Sequence, residues 1–314
     1  MQAVIFPAKG QAILTEAPAP VCAPDTVLLQ TIYSGVTNGT ERNVLLGGNY
    51  GGTFPASCAY QLVSRVIEIG QEISRFQVGD VVYTGTFPGH VAYHTARETD
   101  LIVKLPEGLD RQEAALLGVA SVPMHDLRRA ETRVEDHVLV VGAGLIGQFA
   151  AQAARIVGAR VTVADLDRRR LDLALSLGAD EAVNSGTPEG QARLQEAKPF
   201  SVVMEASGAD LLDQLIGSTW GEGLIGHRGR VLIIAGRGRV SYNFNAAQGH
   251  ELAVLHAGHF GQSDLEQVVR HAIAGTLRIR PLIQDVVPIA EAPRIYETLR
   301  DRPNDLMGTV FVWE

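Results

Sequence analysis

At 314 residues the chain is long enough for two domains. A hydrophobic content of 46 % with slightly positive mean hydropathy describes a large buried core and excludes a disordered chain. The net charge of −8 argues against nucleic acid or an anionic membrane as partner, and no apolar run reaches the length of a membrane span.

The opening Met1-Gln-Ala-Val-Ile-Phe-Pro7 reads as a strand and not as a signal peptide. Residues 1 to about 105 are β-rich. Ala3–Phe6, Thr26–Tyr33, Tyr60–Ile69 and Val81–Tyr83 have strand composition, separated by turns containing Gly, Pro or Asp. Short strands without intervening helices predict a barrel-like domain. Cys22 and Cys58 are too few for a disulfide framework or a four-thiolate zinc site, and they fit a reducing cytoplasm. His90 and His94 alternate within a strand-like run and are expected to be exposed. Arg111–Gly118 turns helical with Gly118 as a break, and a second helical segment covers about Val119–Ala130.

From Val138 strand and helix alternate. Strands are expected at Val138–Val141, Val161–Ala164, Ser201–Glu205, Arg230–Ala235 and Glu251–Leu255, with helices at Gly147–Val157, Arg168–Leu177 and Ala209–Ile216. This is the pattern of an α/β, doubly wound parallel sheet. A helix follows at Ser263–Ile273 with Ser263 as its cap. The tail offers a helix over Ala290–Leu299 and a last strand over Thr309–Trp313, placed to pair back into the N-terminal domain.

Gly142-Ala-Gly144-Leu145-Ile146-Gly147 carries G-x-G-x-x-G between an apolar strand and an Ala-rich helix, the setting that turns a weak glycine pattern into a dinucleotide fingerprint. Gly142 permits the tight turn, Gly144 lets backbone approach a pyrophosphate, and Gly147 allows close helix–strand packing. The helix N-terminus offers N–H groups to the phosphates. Asp165 stands about twenty residues on, where an acid accepts hydrogen bonds from an adenosine ribose and repels a 2′-phosphate. NAD is therefore expected over NADP. Arg168-Arg169-Arg170 is read as a solvated first helical turn, with a 2′-phosphate clamp centred on Arg170 as the other reading.

The chain resembles the medium-chain dehydrogenase/reductase superfamily along its whole length. The marks, in order, are Ile32-Tyr-Ser-Gly-Val36, Val66-Ile-Glu-Ile-Gly70 with Phe76-Gln-Val-Gly-Asp80-Val-Val, Ile102-Val-Lys-Leu-Pro106, the glycine fingerprint, Leu177-Gly-Ala-Asp180, Met204-Glu-Ala-Ser-Gly208 and Gly229-Arg-Val-Leu. The resemblance implies a GroES-like β-barrel catalytic domain, residues 1–113 with 265–314, and a Rossmann domain, residues 114–264, with the active site in the cleft between them. It also implies a homodimer or homotetramer. Zinc-dependent members carry Cys where Thr37 stands, Gly-His-Glu where Ala59-Tyr60-Gln61 stands, and a further Cys at or beside Val119. They also have a Cys-rich lobe that this chain lacks. Thr37, Tyr60, Gln61 and Val119 cannot supply the three ligands of a catalytic zinc, so the chain reads as a zinc-free member with no metal. Ser34-Gly-Val-Thr-Asn-Gly-Thr-Glu41 is similar to the subgroup that includes bacteriochlorophyllide dehydrogenases, which also place Tyr at the lost His. Ala59-Tyr60-Gln61 departs from their Gly-Tyr-Glu.

The resemblance implies hydride exchange between a secondary alcohol, on a sugar, polyol or hydroxyalkyl group, and NAD. Without zinc another group must handle the hydroxyl proton. Tyr60 either does so or fills the emptied metal cavity. Thr37 is a relay or a core hydroxyl, and Glu41 caps a helix or binds substrate hydroxyls. His125 lies on the helix leading to the nucleotide domain, with an ordinary pKa suited to a general base. Ala206 and His256 follow strands that face the cofactor in this family. Cys58 is read as a core thiol. The competing functions are a zinc-free quinone or enone reductase using NADPH, and a nucleotide-binding protein that has lost catalysis.

Overall fold

A computed structural model describes residues 1–313 and divides into two compact units. The first comprises Met1–Val119, Gly261–Gly275 and the chain from Ile279 onward; the second comprises Ala120–Phe260 with Thr276–Arg278. Among the described residues no helix is long and apolar enough to cross a membrane.

The first unit begins with β1 (Gln2–Ile5) and β2 (Ile13–Glu16), an antiparallel pair. There follow β3 (Thr26–Gly35), α1 (Asn38–Leu45), β4 (Leu62–Ile69), β5 (Val81–Thr84), β6 (Tyr93–Arg97), β7 (Ile102–Lys104) and the short α2 (Arg111–Ala114). Alternating β-branched residues turn Val27, Leu29, Val66, Val82 and Ile102 inward onto one core cluster. Tyr60 lies just before β4 and not within it.

α3 (Leu117–Arg129) then carries the chain into the second unit. Gly118 does not break this helix. It sits in the first turn, where a Cβ would collide with the Tyr83 hydroxyl and press on the Tyr60 ring, so the glycine answers to packing and not to termination.

The second unit continues with β8 (His137–Val141), α4 (Leu145–Val157), β9 (Arg160–Asp165), α5 (Arg168–Ser176), β10 (Glu181–Asn184), α6 (Pro188–Ala197), β11 (Phe200–Glu205), α7 (Leu212–Ile216), β12 (Ile225–Ile233), α8 (Phe244–Gly249) and β13 (Ala253–Leu255). The six strands form one parallel sheet in the order β10-β9-β8-β11-β12-β13. That is the doubly wound order with its reversal beside β8, the place where such sheets bind nucleotides. Leu139, Val141, Phe200, Val203 and Val231 are buried in its core.

The chain returns to the first unit through α9 (Gln262–Ile273), β14 (Ile283–Pro288), α10 (Ala292–Asp301) and β15 (Gly308–Val312). Ser263 is not the cap of α9. Gly261 holds that position, and the Asp264 carboxylate accepts its N–H at 2.9 Å. β15 pairs antiparallel with β3 and parallel with β14, completing a seven-stranded sheet in the order β14-β15-β3-β4-β5-β7, with β6 on β3. α10 buries Ile295, Tyr296 and Leu299 against Phe6, Leu45 and Phe311.

Candidate active site and nucleotide site

The first unit gathers Thr37, Glu41, Tyr60 and Gln61 into one corner. Thr37 is the N-cap of α1, yet its side chain makes no capping bond. The cap is reciprocal from the other side: Glu41, in the first helical turn, accepts the Thr37 N–H on Oε1 at 2.7 Å. The Thr37 hydroxyl accepts the Gln61 amide N–H at 2.9 Å and is hydrogen-bonded to the Tyr60 phenol. Gln61 Oε1 accepts the backbone N–H of Val119 at 2.9 Å. The chain thus folds Thr37, Tyr60, Gln61 and Val119 into contact, and hydrogen bonds close that corner upon itself.

Tyr60 is only 3 % exposed, with its ring 5.2 Å from that of Phe87 and its carbonyl accepting the Tyr83 hydroxyl at 3.1 Å. Burial pushes its phenol well above the ordinary tyrosine range. The Thr37 contact works against that shift, and the charges of Glu41 and Cys58 add to it. Cys58 is raised by burial and by Glu41, as an inert core thiol is.

Glu41 is completely buried. Its Oε2 accepts the Tyr296 hydroxyl and, at 3.1 Å, faces His90 Nε2. His90 Nδ1 lies 2.7 Å from Ser34 Oγ, which accepts the Trp313 indole N–H at 2.8 Å. Glu41 therefore serves as an internal anchor for α1, and its oxygens are engaged by protein donors instead of standing open to substrate hydroxyls. His90 and His94 are not exposed: they are 1 % and 3 % accessible, His94 being bonded to Ser64 at 3.0 Å. Desolvation lowers the His94 imidazole to about 4. Sequence reasoning missed His90, Ser34, Tyr296 and Trp313, whose partners are far away along the chain.

In the second unit Gly142, at the end of β8, has φ +95°, a conformation costly for any side chain. A Cβ on Gly147 would strike the Gly142 carbonyl, whereas one on Gly144 would meet nothing within 4 Å. The first glycine makes the turn, the third admits the helix, and the second leaves open space beside the helix end. Gly144 is the N-cap of α4 and gives no side-chain cap, so the N–H groups of Leu145, Ile146 and Gly147 point outward from a helix terminus suited to phosphate. Asp165, half-buried at the end of β9, accepts Ala143 N–H at 2.6 Å, Leu166 N–H at 2.7 Å and Asp167 N–H at 2.8 Å. These groups fit a dinucleotide.

The arginine run divides. Arg168 pairs with Asp172 at 2.9 Å, and Arg169 with Asp167 at 2.8 Å, which holds Asp167 at about 2. Arg170 is half-buried, and its carbonyl accepts the Gln148 amide at 2.8 Å. Ala206 follows β11, and its N–H donates to the Val141 carbonyl of β8 at 2.9 Å. His256, just past β13, is exposed. His125 lies on the part of α3 in the second unit, within 3.2 Å of Arg128 Nη2. His259 is lowered to about 4 by burial and by His125.

Residues 146–274 match the family profile described as zinc-binding dehydrogenase. The 2-dehydro-3-deoxy-L-galactonate 5-dehydrogenase of Pseudoalteromonas atlantica is 28 % identical over 98 % of this chain and 93 % of its own. Sorbitol dehydrogenase 1 of Saccharomyces cerevisiae is 24 % identical over 94 % of this chain and 93 % of its own. A short chain alcohol dehydrogenase of Escherichia coli, solved in complex with NADH, superposes with a TM-score of 0.87 at 17 % identity, covering 100 % of this chain and 99 % of that one. Over nearly its whole length the chain is thus similar to zinc-type alcohol and polyol dehydrogenases of the medium-chain dehydrogenase/reductase class. Its fold is the one expected of that class: a parallel-sheet Rossmann unit and a separate, mostly antiparallel unit.

Proposed function

We propose that this protein is an NAD-dependent, zinc-independent dehydrogenase that exchanges a hydride between a secondary alcohol and the nicotinamide. The substrate class is a sugar, a polyol or a related hydroxyalkyl compound, in keeping with the polyol and sugar-acid dehydrogenases among its relatives. The observation that carries the reading is the Thr37–Tyr60–Gln61 corner. It occupies the ligand positions of zinc-dependent relatives with two hydroxyls and an amide, none of them a zinc ligand of ordinary proteins. Among the described residues no group of three His, Cys, Asp or Glu side chains is placed to hold a metal.

The bound nicotinamide supplies or accepts the hydride. The remaining work falls to the chain. The α4 N-terminus and Gly144 seat the pyrophosphate. Asp165 accepts the ribose hydroxyls and disfavours a 2′-phosphate, with Arg168 and Arg169 committed to neighbouring acids. Tyr60 handles the proton of the reacting oxygen. Since burial keeps its phenol protonated through the neutral range, it acts as proton donor in ketone reduction, and alcohol oxidation gains speed as the pH rises. We also read the protein as a cytoplasmic homodimer or homotetramer.

The test is turnover of a panel of sorbitol, xylitol, 2,3-butanediol and simple secondary alcohols, each with NAD and with NADP. Oxidation of a panel member with NAD, and at least tenfold less with NADP, is expected. Reduction of quinones or enones by NADPH without alcohol turnover would replace this reading with a reductase. Tight NAD binding with no turnover of any substrate would point to a nucleotide-binding protein without catalysis.

A further inference from the structure

The hydrogen bonds around Thr37 have a fixed direction. A backbone N–H only donates, so Val119 requires Gln61 Oε1 as acceptor. That orients the amide and leaves Nε2 facing Thr37 Oγ1 at 2.9 Å, as a donor. The Thr37 hydroxyl, accepting from Gln61, has its own proton to give, and its neighbour is the Tyr60 phenol. The Thr37–Tyr60 hydrogen bond is therefore read with Thr37 as donor and the phenol oxygen as acceptor. Glu41 holds the Thr37 backbone in place by accepting its N–H at 2.7 Å.

We propose that Gln61 is a positioning residue that sets the polarity of the chain Val119 N–H → Gln61 → Thr37 → Tyr60, so that Tyr60 presents its own proton to the substrate oxygen. The inference rests on the reading of Tyr60 given above and adds what makes it a donor. As the carbonyl carbon accepts a hydride from the reduced nicotinamide, the π pair of the C=O bond moves to oxygen, which takes the Tyr60 proton. The phenolate left behind is held by the Thr37 hydroxyl until water returns a proton. An amide can accept no proton at Nε2, so the chain is a holder of the phenolate and not a relay to solvent. Alcohol oxidation runs the same steps backwards from the phenolate.

Gln61→Glu tests the polarity. The introduced carboxylate accepts from Val119 N–H and from the Thr37 hydroxyl, which turns the Thr37 proton away from Tyr60 and makes Tyr60 donate to Thr37. When protonated, the same carboxyl donates to Thr37 and restores the original direction. The titratable groups acting on this corner are Glu41, Cys58, Tyr50, Tyr60 and Tyr83, with His90 and Tyr296 behind Glu41. Burial and the Glu41 charge place the ionisation of the introduced group above the ordinary carboxylate range.

The experiment measures ketone reduction by NADH against pH, using the ketone of the best panel alcohol, for the wild type, Q61E, T37V, T37S and Y60F. Expected are a loss of roughly 10²-fold for Y60F and T37V, and near wild-type rates for T37S. For Q61E the expected result is a rate that is high at acid pH and falls by a similar factor as the introduced carboxyl ionises, a step the wild type lacks. The KM for NADH stays unchanged throughout. Y60F at the wild-type rate would overturn the reading of Tyr60 itself. A slow Y60F beside Q61E and T37V with wild-type rates and pH profiles would overturn the polarity inference alone. If Q61E does not fold, the Thr37 pair decides: T37V slow and T37S normal supports the inference, and T37V normal overturns it.

Discussion

The backbone N–H of Thr37 and the carboxylate of Glu41 lie 2.7 Å apart, inside the first turn of α1 and out of contact with solvent. This bond ties the residue that contacts Tyr60 to a completely buried acid of the first unit. Ser34 and His90 extend the same system: with Trp313 donating to Ser34, the Ser34 hydroxyl proton is available to His90 Nδ1, leaving Nε2–H to donate to Glu41. Glu41 then accepts from Thr37, His90 and Tyr296.

Glu41→Gln places an NH₂ group against donors that need an acceptor. The variant is expected to lose roughly 1–3 kcal/mol of stability, while Tyr296→Phe, which removes one donor, loses about 1 kcal/mol. Urea denaturation at neutral pH checks both values. Equal stability of E41Q and wild type would contradict a fully engaged Glu41 anchor.

The two glycines of the fingerprint predict opposite phenotypes. Gly147→Ala drives a methyl group into the Gly142 carbonyl and is expected to cost roughly 1–3 kcal/mol of stability. Gly144→Ala meets only open space, so its melting temperature stays near that of the wild type while NADH affinity falls at least tenfold, because the methyl occupies the phosphate approach. Calorimetry and nicotinamide fluorescence titration separate the two effects.

Asp165→Asn removes the carboxylate proposed to accept the ribose hydroxyls. Loss of one such bond is worth about 2 kcal/mol, or roughly 30-fold in NAD affinity. NADP affinity is expected to hold or improve, since the repelling charge has gone. A variant that binds NAD like the wild type would remove Asp165 from the cofactor site.

His94 predicts a pH dependence of folding. Burial depresses its folded pKa to about 4 from the ordinary 6.5. The unfolded chain takes up a proton between those values and the folded chain does not, so stability rises with pH across that window. The contribution is complete above about 6.5, shrinks as the pH falls towards 4 and amounts to about 3 kcal/mol in all. Denaturation midpoints for wild type and His94→Gln should diverge in slope between pH 4 and 6.5. Parallel curves would contradict it.

The second unit was the more legible in the sequence, for a local reason. Its strands are continuous apolar runs closed by glycine turns, and the fingerprint has a fixed spacing within a few residues. β10 and α6 escaped notice although Thr187-Pro188-Glu189 holds the cap, the first-turn proline and the first-turn acid of a helix start. In the first unit β2, β7 and β14 are too short or too polar on their exposed side to show a pattern. The last strand and the helix before it were visible, and so was the gathering of Thr37, Tyr60 and Gln61, through the family's motif positions. The anchor below them was not. Glu41 meets His90 across 49 residues and Tyr296 across 255, and no periodicity reports pairs so distant. Alternation alone likewise put His90 and His94 on an exposed face, whereas pairing of β6 with β3 buries His94 against Ser64.

The central claim is hydride transfer without a metal, with Tyr60 at the reacting oxygen. The direct measurement is turnover of the best panel alcohol by protein dialysed against a strong chelator, with zinc content determined on the same sample. Full activity is expected at a zinc content far below one per chain, with no gain on adding zinc. Activity that disappears with the chelator and returns with stoichiometric zinc would contradict it.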